Sequence, residues 1–203
     1  MKNVWWVGQL ENFSNRITVE DIKKECELLE LEQQTHKKDA GEYFIFKGQS
    51  QNDLQLDFRR SKLAYITNNR SEIWLLMNEI AETINQEHFG FDINKVEVIQ
   101  YAVYNEQEKS KYDWHIDTTF ANDLLWQRKI SISIQLSNPN EYEGGELELD
   151  GFHYDGVWRD FKDRAKQKGA VTVFPSFMPH RVTEVTKGTR ASLAAWITGV
   201  KFK

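Results

Sequence analysis

The segment RKISISIQLS, residues 128–137, alternates apolar and polar side chains with a period of two. This period is typical of a β-strand, because successive side chains of a strand point to opposite faces of the sheet. The two faces are formed by Ile130, Ile132, Ile134 and Leu136 and by Ser131, Ser133 and Gln135. If the apolar face packs on helices, the small polar face lines a cavity for a polar ligand; otherwise the polar face meets water.

Similar segments follow one another from about residue 93 onward. They are short, rich in β-branched or aromatic residues, and separated by turn residues. In chain order they are KVEVIQYAVY, YDWHID, KISISIQLS, GELEL, AVTVFPS, RVTEVT and TRASLAAWITGV. Many short strands after helices predict an α+β fold that is mainly β, a sandwich or jelly roll with helices on one face.

The first of two predicted helices lies in TVEDIKKECELLELEQQTH, residues 18–36. Thr18 is its candidate N-cap, with Asp21 at the capping-box position. The helical period predicts one apolar face made of Ile22, Cys26, Leu29 and Leu28.

The second predicted helix lies in SEIWLLMNEIAETINQEHFG, where Ser71 can cap the start and Gly90 can end the helix. Its apolar residues recur at helical spacing: Ile73, Trp74, Met77, Ile80 and Ile84. Between the helices, GEYFIFKG (residues 41–48) is a plausible strand and LQLDFRRSKLAYI (residues 54–66) an extended segment.

The bulk properties limit the class of protein. A chain of 203 residues fits a single domain, with residues 1–92 as supporting helices and strands and residues 93–203 as the β core. The net charge of -5 without a basic stripe argues against nucleic acid as the main partner. No signal peptide or membrane span is expected, and the lone Cys26 suits a reducing compartment, the cytoplasm.

A candidate metal-binding pair closes the strand YDWHID, where His115 and Asp117 are two positions apart. On a strand both would point to one face, offering an imidazole nitrogen and a carboxylate oxygen that suit divalent iron. A hydrogen-bonded polar pair at a strand end is the alternative. A second His-x-Asp triplet, His153 and Asp155, lies in a segment with no clear strand to direct its side chains.

A third ligand would have to come from elsewhere in the chain, and His180 follows several strands later. A rolled sheet can bring such distant positions to one face of a metal, leaving three positions open for substrate and oxygen. The alternative for His180 is a turn histidine bonded to backbone. Further along, Arg190 and Ser192 share a strand face and suit a carboxylate, although a strand arginine can also be a solvated surface charge.

Three motifs in a fixed order resemble those of a known family. They are Y-x-x-H-x-D at residues 112–117, YEGGEL at residues 142–147, and FPS…H-R-V…V-T-x-G-x-R-x-S at residues 174–192. Together they resemble the 2-oxoglutarate- and Fe(II)-dependent dioxygenases, most closely the prolyl-4-hydroxylase-like branch. The resemblance covers roughly residues 95–200, and the first ninety residues match only loosely.

The resemblance implies a double-stranded β-helix, a form of jelly roll, as the catalytic core. It implies Fe(II) held by His115, Asp117 and His180. It implies 2-oxoglutarate bound through its far carboxylate by Arg190 and Ser192, with further contacts from Tyr104 and Gln135. Gln135 departs from the family, which often has a tyrosine there. O2 would be consumed, with ascorbate as a candidate reductant, and a C–H bond of a peptide or small molecule would be hydroxylated, peptidyl proline being the first choice.

Two other classes of function stay open at the level of sequence. One is a jelly-roll module that binds a partner or an acidic metabolite without turnover, and the other is a cupin-type enzyme that uses manganese or zinc. The segment GFHYDGVWRDFKDRAKQKG, residues 151–169, interrupts the strands and is either a lid over the site or a solvated loop.

Overall fold

The computed structural model describes residues 5–40, 58–119, 125–150 and 155–202, without the side chains of residues 31–40 and 155–158. Its helices are α1 (Val19–Ala40), α2 (Glu72–Ile84) and α3 (Asp155–Ala165), with a 3-10 turn at Leu10–Asn12 and a π-helical turn at Asn85–Phe89. Its strands are β1 (Trp6–Gln9), β2 (Arg59–Arg60), β3 (Lys62–Ile66), β4 (Ile93–Asn105), β5 (Lys111–His115), β6 (Trp126–Gln135), β7 (Tyr142–Gly144), β8 (Leu147–Leu149), β9 (Ala170–Pro175), β10 (His180–Val182) and β11 (Val185–Val200).

The strands form two antiparallel sheets. The large sheet has the order β1-β9-β6-β11-β4-β3, with β7 paired to β11, and the small sheet has the order β2-β5-β10-β8. The inner faces of the two sheets meet in an apolar cluster that joins Ala102 and Tyr104 of the large sheet to Val182 of the small sheet. The result is the predicted jelly roll, with a space between the sheets in which side chains from both can converge.

The outer face of the large sheet packs on α1 and α2. The isoleucines of β6 at positions 130, 132 and 134 join Ile22 of α1 and Ile80 of α2 in one core cluster. Of the two alternatives that the sequence left open for β6, the structure shows the one in which the apolar face packs on helices. Because side chains of a strand alternate, the polar face of β6 turns to the space between the sheets.

Helix α1 begins as the sequence predicts. The Thr18 backbone N–H donates to Asp21 Oδ2 at 3.0 Å and the Asp21 N–H donates to Thr18 Oγ1 at 3.2 Å, a reciprocal capping box. Ile22 and Cys26 are buried, but Leu28 is 55% exposed, so its placement on the apolar face is wrong. At 100° per residue, position 28 lies well to the side of the line through positions 22 and 26.

Helix α2 also has the predicted ends. The Trp74 N–H donates to Ser71 Oγ at 3.3 Å at the start. After the π-helical turn, Gly90 takes a left-handed conformation with φ +69° and its N–H donates to the Asn85 carbonyl at 2.7 Å. The described helices include none long and apolar enough to cross a membrane.

Two elements differ from the sequence interpretation. Strand β1 was not predicted and pairs with β9 at the edge of the large sheet. Residues 155–165, read from the sequence as a loop or lid, form α3, whose Phe161 packs with Trp5 and Phe174. The predicted strand at residues 41–48 lies outside the described residues.

Candidate metal centre and the adjoining pocket

His115, Asp117 and His180 converge in the space between the sheets. His115 ends β5 and lies opposite His180, the first residue of β10. One ligand atom from each of the three residues lies within 4.8 Å of the others. His115 Nε2 is 3.6 Å from Asp117 Oδ1, and His180 Nε2 is 3.3 Å from Asp117 Oδ2.

Asp117 reaches this position differently from the sequence prediction. It lies two residues beyond the end of β5, so the alternation of a strand does not orient it. Instead, the backbone N–H groups of Asp117 and Thr118 both donate to the Ser176 carbonyl, at 2.8 and 3.1 Å. These two bonds turn the chain so that the carboxylate faces both histidines.

Hydrogen bonds to backbone fix the tautomer of both histidines. Nδ1 of His115 is 2.7 Å from the Asp113 carbonyl, and Nδ1 of His180 is 2.9 Å from the Met178 carbonyl. A carbonyl oxygen only accepts, so each Nδ1 carries the proton. In this tautomer Nε2 has no proton and offers the lone pair that a metal ion requires, and in both residues Nε2 lies near Asp117.

The protonation states of the pair at positions 115 and 117 also suit a cation. Burial, together with the nearby His180, lowers the pKa of His115 to about 4, so this ring is neutral near neutral pH. Burial alone would raise the pKa of Asp117, but the electrostatic and polar interactions with His180, Ser131 and His115 outweigh burial and lower that pKa. The site thus combines a neutral imidazole with an ionised carboxylate.

Aromatic rings enclose the His115 side of the cluster. The Tyr112 ring stacks on His115 with centroids 3.5 Å apart and an interplanar angle of 18°. The Arg59 guanidinium lies 4.2 Å from the centroid of the Tyr112 ring, and the Phe58 ring meets His115 edge-on at 6.2 Å. This packing limits the orientations open to the imidazole.

Arg190 lies in a separate pocket between the sheets and is only 3% exposed. Its Nη1 donates to Ser192 Oγ at 3.2 Å, and the guanidinium lies 5.5 Å from the Tyr104 ring centroid. The pocket is lined by Gln135, Tyr142, Gly145, Glu146, Leu147, Lys162, Ala165, Lys166 and Arg190. A buried arginine in a polar pocket fits an anionic ligand, and the alternative of a solvated surface charge does not describe it.

The other residues predicted for the cosubstrate also lie near Arg190. In the sheet register, Tyr104 is opposite Arg190, and Gln135 is opposite Ser192. Gln135 Nε2 donates to the Tyr142 hydroxyl at 2.9 Å. Gln135 Oε1 is buried without a hydrogen-bond partner within the described part of the chain. This oxygen can therefore accept a hydrogen bond from a donor group in the pocket.

The motif YEGGEL shapes this pocket through its glycines. Gly145 has φ +60°, and a Cβ there would lie 2.8 Å from Val185 Cγ2 and 3.1 Å from Arg190 Cδ. Its neighbour Gly144 has φ +73°, and a Cβ would lie 2.0 Å from the Glu184 carbonyl oxygen. Both positions therefore need a residue without a side chain.

Sequence reasoning missed several contributors to the site. Ser131 donates from its Oγ to Asp117 Oδ2 at 2.7 Å, and Lys162 of α3 reaches the pocket that holds Arg190. Ser131 had been placed on the polar face of β6, but no sequence signal linked it to Asp117. In the second His-x-Asp triplet, His153 and the side chain of Asp155 lie outside the described part of the chain.

The fold and the site together define a class of protein: a jelly roll with two histidines and one carboxylate gathered between its sheets. Mixed nitrogen and oxygen ligands of this kind, with positions left open, are associated with non-haem Fe(II) oxygenases. The donor set therefore fits an iron ion, and the buried Arg190 fits the carboxylate of a keto acid.

Comparison with known proteins agrees with this class. A family model described as the 2OG-Fe(II) oxygenase superfamily matches residues 99–198 of the chain. The chain is 36% identical over 86 residues to a PKHD-type hydroxylase from Gloeothece citriformis, covering 42% of this chain and 36% of the relative. It is 26% identical over 153 residues to a PKHD-type hydroxylase from Prochlorococcus marinus, covering 75% of this chain and 62% of the relative. The chain thus spans between about a third and three-fifths of the length of these relatives.

Solved structures give the same fold. A prolyl-4-hydroxylase from Pseudomonas putida aligns with a TM-score of 0.62 at 20% identity, covering 97% of this chain and 92% of that one. A viral collagen prolyl hydroxylase from Paramecium Bursaria Chlorella virus-1 aligns with a TM-score of 0.61 at 16% identity, covering 98% of both chains. The predictions of a jelly roll and of a resemblance to prolyl hydroxylases are confirmed.

Proposed function

We propose that this chain is a 2-oxoglutarate- and Fe(II)-dependent hydroxylase. The convergence of His115, Asp117 and His180, each with a ligand atom within 4.8 Å of the others, is the observation that carries the proposal. Two bare Nε2 lone pairs and one carboxylate form a ligand set for Fe(II) that leaves positions open for other molecules. The similarity of residues 99–198 to the 2OG-Fe(II) oxygenase superfamily supports the choice of metal.

One group of residues would bind the metal, and a second group would bind the cosubstrate. Bound Fe(II), 2-oxoglutarate and O2 would together supply the oxidation that yields succinate, CO2 and a hydroxylated C–H bond. His115, Asp117 and His180 would hold the ion. Arg190, with Ser192 beside it, would bind the far carboxylate of 2-oxoglutarate and so orient its other end toward the ion.

Burial makes the interaction with Arg190 selective for an anion. At 3% exposure, the guanidinium has little water around it, so a charged partner gains more there than at the surface. Burial raises the pKa of Tyr142 although Arg190 lies nearby, so the phenol keeps its proton and can donate to a carboxylate. Tyr104 and Gln135 would complete the walls of the pocket.

For the substrate, we propose a peptidyl proline as the first to test. The likeness in fold to prolyl hydroxylases and the similarity to PKHD-type hydroxylases support it. We also propose one domain, in which residues 1–92 support a catalytic core at residues 93–203, and a reducing compartment such as the cytoplasm. The packing of α1 and α2 against the large sheet supports the first of these, and the free, buried Cys26 is compatible with the second.

The decisive experiment is an anaerobic titration of the metal-free protein with Fe(II) and 2-oxoglutarate, monitored through the charge-transfer band of the iron–keto-acid chelate. We expect the band in the wild type, its loss in His180→Ala, and its retention in His153→Ala. Aerobic incubation with proline-containing peptides, followed by mass spectrometry for one added oxygen atom and by a succinate assay, then tests turnover.

Each alternative function gives a different result. Metal-dependent turnover without a need for 2-oxoglutarate would favour the cupin-type enzyme. Binding of 2-oxoglutarate without any metal dependence or succinate release would favour the binding module. Loss of the band in His153→Ala instead of His180→Ala would indicate that the metal binds at the second His-x-Asp triplet.

A further inference from the structure

Two buried serines lie behind the Asp117 carboxylate. Ser131 on β6 is 2% exposed, and Ser176, the residue after β9, is 0% exposed. Ser131 Oγ donates to Asp117 Oδ2 at 2.7 Å, and the two serine Oγ atoms are 2.9 Å apart. The three side chains form a line of hydrogen bonds that ends on a residue of the candidate metal centre.

The direction of these hydrogen bonds follows from the protons available. A serine hydroxyl has one proton to donate, and a carboxylate only accepts. Because Ser131 donates its proton to Asp117, it can only accept from Ser176. One arrangement of protons therefore satisfies the whole line, and it fixes the rotation of both hydroxyl groups.

Ser176 also holds the backbone that carries Asp117. Its carbonyl accepts the N–H groups of Asp117 and Thr118, and its own N–H donates to the Lys129 carbonyl at 2.9 Å. The turn after β5 is thus tied to β6 through Ser176. The same residue controls both the main chain at Asp117 and, through Ser131, the orientation of the carboxylate.

The orientation of this carboxylate decides how many positions a metal ion would keep. Two imidazoles and one carboxylate oxygen leave three positions open in octahedral coordination. If both oxygens of Asp117 bound the ion, only two would remain for the cosubstrate and O2. A hydrogen bond that engages one oxygen favours binding through a single oxygen.

We propose that Ser131 and Ser176 are positioning residues that present Asp117 to the metal through a single oxygen. This inference rests on the proposed function, because it concerns the same metal centre. A structural role alone would mean that the serines only satisfy each other in a buried space. Their loss would then lower the stability of the fold and leave metal affinity unchanged.

The test compares Ser131→Ala with Ser133→Ala as a matched control. Ser133 lies two residues along the same strand, and the described structure shows no hydrogen bond from it to Asp117. Mn(II) affinity of the metal-free protein is measured by isothermal titration, and the visible spectrum of the Co(II) form reports its coordination. Circular dichroism and thermal unfolding without metal show whether each variant is folded.

We expect Ser131→Ala to bind Mn(II) about 10- to 100-fold more weakly and to change the Co(II) spectrum. Ser133→Ala should match the wild type in both measurements. Ser131→Thr, which keeps a hydroxyl, should restore most of the affinity. Ser176→Ala should weaken binding in the same direction but less, because the hydroxyl of Ser131 remains.

The possible failures can be told apart. A folded Ser131→Ala with wild-type Mn(II) affinity and Co(II) spectrum would overturn the positioning role and leave the proposed function intact. A wild type that binds no metal would overturn both. If Ser131→Ala does not fold, Ser176→Ala decides by the same criteria, and wild-type affinity in that variant counts against the proposal.

Discussion

His115 and His180 each donate Nδ1–H to a carbonyl that lies two residues earlier in the chain, at Asp113 and Met178. The same local device therefore fixes the tautomer of both rings, although they come from different strands. Since a backbone carbonyl cannot be removed by substitution, this part of the site depends on the chain path and not on a neighbouring side chain. The orientation of Asp117, in contrast, depends on serines that a single substitution can remove.

The first prediction at this scale concerns Gly145 beside Arg190. In Gly145→Ala the new Cβ would lie 3.1 Å from Arg190 Cδ, and an alanine at φ +60° is strained by about 1–2 kcal/mol. We expect the guanidinium to shift, so that 2-oxoglutarate binds more weakly while Mn(II) affinity is unchanged. Isothermal titration with each ligand measures both.

Gly90→Ala is the matched control for this change. Gly90 has a similar φ of +69°, but a Cβ there would meet nothing within 4 Å. It should therefore lose similar stability and keep its affinity for 2-oxoglutarate. Equal affinity in Gly145→Ala and Gly90→Ala would show that Arg190 does not depend on Gly145.

The second prediction concerns the lone cysteine. Burial, assisted by Glu25 and Glu27, raises the pKa of the Cys26 thiol to about 12. Because only the thiolate reacts, folded protein should resist thiol reagents even near pH 9, where an exposed thiol is largely ionised. Absorbance after addition of an aromatic disulfide reagent should show no reaction until denaturant is added, and full labelling of native protein would contradict the buried placement.

At the scale of elements, α3 lies in the segment between β8 and β9 and borders the pocket that holds Arg190. Phe161 is 0% exposed and packs with Trp5 and Phe174, and Lys162 forms ion pairs with Glu146 and Glu148. Lys162 also lines the pocket. The helix is therefore packed on the β core, and it forms part of the pocket wall.

This packing leads to the third prediction. Phe161→Ala should lower the free energy of unfolding by about 3–5 kcal/mol, because it removes a fully buried ring. It should also raise the KM for 2-oxoglutarate, because α3 carries one wall of the pocket. Chemical denaturation and succinate kinetics measure the two effects, with Phe161→Leu as a milder control.

An unchanged KM in a folded but destabilised Phe161→Ala variant would restrict α3 to a supporting role. The opposite pattern, in which substrate oxidation falls while the KM for 2-oxoglutarate holds, would match a lid over the substrate side.

The elements also show how far the sequence could predict the site. The alternation in β6 was enough to predict a strand, and the resemblance of the motifs to a known family named His115, Asp117, His180 and Arg190 as candidate ligands. The contact between Ser131 and Ser176 could not be predicted, because the pairing of β6 with β9 that brings the two residues together forms only on folding. Helix α3 was missed because the glycines at 151 and 156 favoured a loop, and its support comes from distant residues such as Trp5.

At the scale of the whole molecule, the two faces of the large sheet have different roles. One face packs on α1 and α2 and supplies most of the apolar core, and the other face holds Ser131, Arg190 and Gln135 around the candidate sites. The centre also joins both sheets, since Asp117 is bound to the large sheet and His115 and His180 belong to the small one.

The fourth prediction follows because residues from both sheets form the candidate metal centre. A metal that binds only the folded protein should raise its stability by about 2.7 kcal/mol when present at 100 times its dissociation constant. Thermal unfolding should therefore shift upward with Mn(II) and return with a chelator. Asp117→Ala should show no shift, and a shift in that variant equal to the wild type would place the bound metal elsewhere.

The position of β11 in the large sheet has a consequence for protein synthesis. β11 lies between β4 and β6 and pairs with both along most of its length, yet it is the last of the described strands in chain order. The ribosome synthesises β4 and β6 well before β11, the strand that pairs with both. Until β11 is made, β4 and β6 each have one edge without a hydrogen-bonded neighbour. Because pairing over such long separations is slow, the nascent chain passes through a stage exposed to aggregation, and chaperones that shield strand edges should matter most at that stage.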